Sequence, residues 1–318
     1  MSKNWLRALL IYSLLAALLY FALRNAPLTD IRETLGKLKF RQALALLSVN
    51  IVIYLFIALR WWLIVRAEHK NIAYFPLLAT RIAVFGVSYF TLGPQVGGEP
   101  LQVLYLQRNY GMSYVRATST VIMDKLLEFL ANFMLLMAGL TAILRAGIPS
   151  TSGNSLPVGF VALTMLLAAP PVHIVMLYRG VYPISALLKK ISNNKLARFI
   201  GASERMAGRF CQRHLSALIA ATLASICAAA GMVAEFFLIV SFLEIDLSFS
   251  QTIAAWTAGW LAFLVPLPGG LGALEASQVF ALGAFGISAA PAISVTLLIR
   301  ARDLLIGGLG LALAGRVK

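Results

Sequence analysis

"GPQVGGEPLQ" (Gly93–Gln102) interrupts one apolar stretch of the chain, and "PLPGGLGALE" (Pro266–Glu275) interrupts another. Glycine and proline at this density stop a continuous helix. Each break carries a carboxylate just past its glycines, Glu99 in the first and Glu275 in the second. The composition around them says where such breaks sit. Of 318 residues 60% are hydrophobic and 12% charged, against roughly 25% charged in a soluble domain. So little charge is the mark of an all-α integral membrane protein, read here as a single membrane domain over 1–318.

A full span needs about 20 mostly apolar residues. Six stretches meet this: roughly 5–23, 42–65, 114–143, 157–178, 215–242 and 288–314. The two broken pieces, about 73–107 and 250–284, have halves too short to cross alone. They read as re-entrant helical hairpins, because irregular backbone at membrane depth is tolerated only inside protein or against a wet cavity. The first apolar run follows Lys3 and Arg7 in the manner of a signal peptide. It is too long for one and lacks a small-residue cleavage site, so it is expected to stay as the first span.

The net charge is +15. The basic residues lack the aromatic interleaving of a nucleic-acid surface, so they are assigned to cytoplasmic loops and anionic headgroups. With the N-terminus inside, the inner side holds Lys3, Arg7, Arg66, Lys70, Arg108, Arg116, eight residues of the 179–213 loop, Arg316 and Lys318, sixteen in all. The outer side holds six: Arg24, Arg32, Lys37, Lys39, Arg41 and Arg145. Both termini are therefore expected in the cytoplasm, with the chain in a bacterial inner membrane. The basic segment 25–41 falls on the outer side and reads as an interfacial helix.

No metal, cofactor or catalytic chemistry is expected. His69, His173 and His214 are scattered, and Cys211 (in the basic loop) and Cys227 (in an apolar run) would lie about 24 Å apart on one helix, too far to bridge. There is no H-E-x-x-H, G-x-S-x-G, P-loop or Cys–His couple. The basic loop of about 35 residues is too short for a catalytic domain.

The halves of the chain resemble each other. "GMSYVRATSTVIMDKLLE" (Gly111–Glu128) and "GISAAPAISVTLLIRARD" (Gly286–Asp303) both begin Gly-apolar-Ser. Both place a basic residue fourteen positions on (Lys125, Arg300) and an acid seventeen on (Glu128, Asp303). Each follows a break by eighteen residues, at Gly93-Pro94 and Pro268-Gly269. A hairpin-plus-helix unit thus recurs about 175 residues apart, over about 73–144 and 250–315. In this topology the first hairpin enters from the cytoplasm and the second from outside, which is an inverted repeat with a site near the midplane.

Ionisable residues crowd the two repeated helices. Asp124, Lys125 and Glu128 fall in one, Arg300, Arg302 and Asp303 in the other. At about 3 kcal/mol per charge at a helix centre, they must pair or face water. Lys125–Glu128 and Arg300–Asp303 have i,i+3 spacing and Asp124 and Glu128 share a face. These groups either lock helices together or line a path for a charged substrate or proton. Arg81 has no charged neighbour in sequence and reads either as a snorkelling cation or as a phosphate ligand. Glu235 lies alone mid-span and is expected to make a hydrogen bond between helices. Gly97, Gly98, Pro268, Gly269 and Gly270 are turn residues that also suit an anion site at a helix N-terminus. Glu99 and Glu275 either cap those N–H groups, carry a proton or hold a cationic headgroup.

In this order and spacing the motifs resemble the lysylphosphatidylglycerol synthase transmembrane-domain family. That is the flippase-like membrane half of the multiple peptide resistance factors, also found as stand-alone bacterial and archaeal proteins. The resemblance covers about residues 5–315 and carries over onto Gly97, Gly98, Glu99, Asp124, Lys125, Pro266, Pro268, Gly269, Gly270, Gly272, Glu275 and Arg300. Nothing follows Lys318, so the soluble aminoacyl-transferase domain is expected to be missing, and with it lysyl transfer. The resemblance implies translocation of a phospholipid or lipid-linked phosphate, of aminoacyl-phospholipid or polyprenyl type. Arg81, Lys125, Arg300 and Arg302 would attract phosphate; Glu99, Asp124, Glu128, Glu275 and Asp303 would balance charge or relay protons. Two rivals stand beside it: a membrane accessory or transferase component acting with a separate lipid-modifying or glycosyl transferase, and a small-solute ion-coupled transporter.

Overall fold

The computed structural model describes residues 28–91, 97–145, 158–191, 194–264 and 267–315. The expected first span 5–23, the tip residues 92–96 and Pro266 lie outside them. The described residues form twelve α-helices and no strand. They are α1 (Leu28–Gly36), α2 (Phe40–Glu68), α3 (Tyr74–Phe90), α4 (Glu99–Tyr110), α5 (Tyr114–Arg145) and α6 (Val158–Tyr178). The second half holds α7 (Pro183–Ile191), α8 (Lys195–Arg213), α9 (Leu215–Phe242), α10 (Phe249–Ala262), α11 (Ala273–Gly283) and α12 (Ala289–Ala314). A 3-10 turn over Pro268–Gly270 joins α10 to α11.

Two of the described helices, α2 and α9, are long and apolar enough to cross a membrane by length and composition. They pack along each other. Each leaves an unburied apolar stripe at helical spacing: Leu44, Leu47 and Ile51 on α2, and Leu215, Ile219 and Leu223 on α9. In water such stripes would be costly; in lipid they are the natural outer surface. At 1.5 Å per residue α5 and α12 extend about 48 Å and 39 Å, also enough to cross, but they carry the ionisable clusters.

Each broken segment is two helices around its glycines. In the first, α4 starts with Pro100 in its first turn and stops at Gly111, whose φ of 63° is left-handed. In the second, Ser248 and Gln251 form a capping box at the start of α10, and Gly269 and Gly270 take φ of 58° and 62° in the turn. The packing is reciprocal: α3 of the first segment lies on α12 of the second unit, and α10 of the second lies on α5 of the first. Small residues permit both crossings. A Cβ on Gly86 would sit 2.6 Å from the Gly307 carbonyl oxygen, and one on Gly139 would collide with the Thr257 hydroxyl.

The stretch 179–213 is not the loop that the sequence suggested. It forms α7 and α8, entered from α6 through Gly180 (φ 78°) and a 95° bend. Its apolar and small residues recur at helical spacing (Phe199, Ser203, Ala207, Phe210), and the basic residues between them dilute the stripe in a hydropathy average. Cys211 therefore lies in a helix, buried with Ile64, Met123, Leu127 and Phe210, and burial pushes its thiol up to about 11. Glu204, also buried, accepts the Ile184 and Ser185 N–H groups at 3.0 and 2.6 Å and so caps α7 from α8.

Candidate functional site

The charges in the long helices meet in two networks. The first is centred on α5. Arg60 of α2, buried at 2% exposure, donates its Nε to Asp124 at 2.6 Å and an Nη to Glu128 at 2.8 Å. Arg81 of α3 meets the same two carboxylates at 3.2 and 2.6 Å. One turn of α5 thus offers Asp124 and Glu128 on one face, and two arginines from different helices bind that face as a clamp. Lys125 completes the network, 3.4 Å from Glu128 and 3.1 Å from Glu99 at the start of α4. The two guanidinium groups and the ammonium balance Glu99, Asp124 and Glu128.

The second network is centred on α12. Arg300 donates its Nε to Glu275 Oε1 at 2.8 Å and one Nη to Glu275 Oε2 at 3.0 Å. Its two Nη groups also reach the carbonyl oxygens of Gly269 and Gly270, the latter at 3.0 Å. Arg300 therefore fastens the second turn to α12. Arg302 donates to Asp303 at 2.7–2.8 Å and pairs with Glu235 of α9, which also accepts from Asn50 of α2 at 2.8 Å. Here one guanidinium serves two carboxylates.

Between the networks lies a cavity of about 170 Å³. It is walled by α2, α3, α5 and α9–α12, so both units contribute. Its polar groups include Arg81, Lys125, Glu128, Glu235, Arg302 and Asp303; its apolar wall mixes aliphatic side chains with the aromatic rings of Trp256, Trp260, Phe236 and Phe263. A cavity of this size holds several waters or a small headgroup.

The glycine tips carry a different chemistry from an open anion cradle. Gly97 N–H donates to Glu99 Oε2 at 2.7 Å, Gly98 N–H to Ser88 Oγ at 2.9 Å, and Gly272 N–H to Glu275 Oε2 at 2.9 Å. Each tip carboxylate caps its own break and reaches a cation on the long helix that follows. The second tip also meets the first broken segment: a Cβ on Gly269 would lie 3.1 Å from the Tyr89 ring of α3.

Two pairings differ from those that sequence spacing suggested, and a third goes beyond its expectation. Arg81, without a charged neighbour in sequence, faces two carboxylates from a helix that starts 33 residues later. Arg300 and Asp303, at i,i+3, have other partners, because Glu275 and the turn carbonyls hold the guanidinium on one side while Arg302 takes Asp303 on the other. Glu235 makes its expected interhelical hydrogen bond and an ion pair besides. Sequence reasoning passed over Arg60, although a lone arginine inside the apolar run 42–65 is the same signal that singled out Arg81. It also passed over the neutral groups that meet these networks or line the cavity, Asn50, Tyr89, Gln102 (3.5 Å from Arg81) and Gln278, because they carry no charge to mark them in the sequence. Among the described residues no group of His, Cys, Asp and Glu is placed to hold a metal ion.

A family model described as "Lysylphosphatidylglycerol synthase TM region" matches residues 4–310. Neither a curated protein nor a solved structure matches the chain.

Proposed function

The chain belongs to the lysylphosphatidylglycerol synthase transmembrane-region family, and from that premise we propose that it translocates an amphiphile with a phosphate-bearing headgroup across a bacterial inner membrane. Family membership itself supports a membrane role connected with envelope lipids. The observation that carries the finer reading is the central cavity, where Arg81, Lys125 and Arg302 meet Glu128, Glu235 and Asp303 against a wall of aliphatic and aromatic side chains. Ionisable groups at membrane depth are expensive, and a cavity that gathers six of them from four helices is where a charged headgroup would find compensation. The reciprocal crossings of α3 on α12 and α10 on α5 fit two re-entrant hairpins related by an inverted repeat, while six spans with both termini in the cytoplasm rest on the hydropathy and charge pattern of the sequence. No bond is made or broken in this reading. No nucleotide motif is present in the sequence, so movement would be passive or ion-coupled.

A second reading, a small-solute ion-coupled transporter, draws on the modest cavity volume and on Arg302 shared between Glu235 and Asp303. One experiment separates them. The protein is reconstituted in liposomes carrying a headgroup-labelled phospholipid, and leaflet accessibility is followed with a membrane-impermeant quencher. Lipid translocation is expected well above empty vesicles, and slower with Asp303→Asn. No acceleration, together with uptake of soluble glycerol phosphate, would replace the lipid reading with the solute one.

A further inference from the structure

We infer that the amphiphile's hydrocarbon chain lies in the groove between α4 and α5, and that its phosphate takes Lys125 from Glu99. This rests on the lipid-translocation reading and adds a route and a first contact to it. The groove is open, about 680 Å³ in volume, and lined by α4, α5 and Phe199 of α8. Its lining is apolar along Val103, Val121, Leu126 and Phe129, and its ionic groups are Glu99 and Lys125. On α5 the lining runs from Tyr114 to Phe129, about 22 Å at 1.5 Å per residue, most of the way across a hydrocarbon core of about 30 Å. A long apolar trough with one cation at its edge asks for an occupant with a chain and an anion on the same molecule.

Lys125 is also a wall residue of the central cavity, so a headgroup bound to it stands at the passage from groove to cavity. The Glu99 contact can be exchanged. Lys125 and Glu99 are each about one-fifth exposed, and among the described residues the Glu99 Oε1 that Lys125 approaches at 3.1 Å has no hydrogen bond of good geometry. Lysine binds phosphate as a compact point charge and needs no fixed fork. On release Glu99 keeps the Gly97 N–H through its other oxygen, so the tip stays capped. The matching pair in the second unit lacks this freedom, because Glu275 and the two turn carbonyls hold every nitrogen of Arg300.

The test uses the full chain in phosphatidylcholine vesicles doped with phosphatidylglycerol whose acyl chain ends in a photoactivatable diazirine, with crosslinks mapped by mass spectrometry. Crosslinks are expected on the peptides bearing Val103, Val121 and Phe129. Lys125→Ala should lower them about tenfold, the worth of one charge-assisted hydrogen bond. Leu104→Trp, at the groove's exposed rim, should do so by filling it, with the thermal midpoint checking that the variant folds. Crosslinks spread evenly over the lipid-facing stripes of α2 and α9, or unchanged in both variants, overturn the inference. So does competition by soluble glycerol phosphate as strong as by whole lipid, which would place the phosphate without the chain. Leaflet transport is read on the same vesicles: translocation without groove labelling sinks this inference alone, and groove labelling without translocation sinks the transport reading while the site stands.

Discussion

At the first break Glu99 accepts the Gly97 N–H and faces Lys125; at the second, Glu275 accepts the Gly272 N–H and faces Arg300. The chemistry is the same and the hold is not. Glu275 meets Arg300 through both its oxygens, the pair is below 10% exposure, and Arg300 adds two carbonyls and the Tyr89 hydroxyl. Glu99 meets Lys125 through one oxygen, at about twice that exposure, beside an open groove. An arginine fork that also ties down the backbone makes a fixture, whereas a lysine shared between Glu99 and Glu128 can change partners without moving a helix. Two breaks alike in sequence thus hold their cations differently, through a fork and two carbonyls at the second and through a single carboxylate oxygen at the first.

The largest expected effect tests the fixture. Glu275→Gln leaves the buried Arg300 charge without its carboxylate, and breaking one side of a buried pair costs on the order of 3–5 kcal/mol. Glu99→Gln removes a partly exposed contact and keeps an oxygen for the Gly97 N–H, so about 1 kcal/mol or less is expected. Thermal unfolding in detergent measures both. Equal losses would erase the asymmetry between the tips.

A middle-sized effect sharpens it at the helix crossings. Gly86→Ala sets a methyl against the Gly307 and Gly310 backbone, which cannot turn aside, and overpacking of this kind costs about 1–3 kcal/mol. Gly139→Ala meets the Thr257 side chain, which can rotate, so its loss should be the smaller. If Gly139→Ala destabilises more, then α5, not α12, carries the tighter crossing, and the rigid partner has been assigned to the wrong unit.

Much of this arrangement was legible in the sequence, for identifiable reasons. The breaks announced themselves, because glycine and proline act through local backbone geometry. The limits of α9, 215–242, could be read directly, since its apolar run is bounded by His214 on one side and by Glu244 and Asp246 on the other. The recurrence of Lys125 and Arg300 at matched positions led to the two tip cations. Partner choice was hidden. Arg81 and Arg60 find Asp124 and Glu128 across 43 and 64 or more residues of chain, and spacing along one helix says nothing about which helix comes alongside. The i,i+3 rule failed at Arg300–Asp303 because a buried guanidinium with a carboxylate and two carbonyls in reach satisfies more of its donors there than on its own helix. The helices in 179–213 were missed because basic residues share the segment with its buried stripe.

The smallest change in stability bears most directly on exchange. Lys125→Arg keeps the charge and supplies a fork where a point charge stood. Glu99 and Glu128 are both within reach of the native side chain, so an arginine there should pair with them at least as well, and the thermal midpoint should correspond to a change within about 0.5 kcal/mol. The first tip would then resemble the second in having a planar, forked cation slow to release its partners. If exchange at Lys125 is a step in translocation, lipid movement should slow although the protein is no less stable. If translocation is unchanged while the fold is equally firm, the difference between lysine and arginine at the two tips has no part in transport, and the asymmetry is one of packing alone.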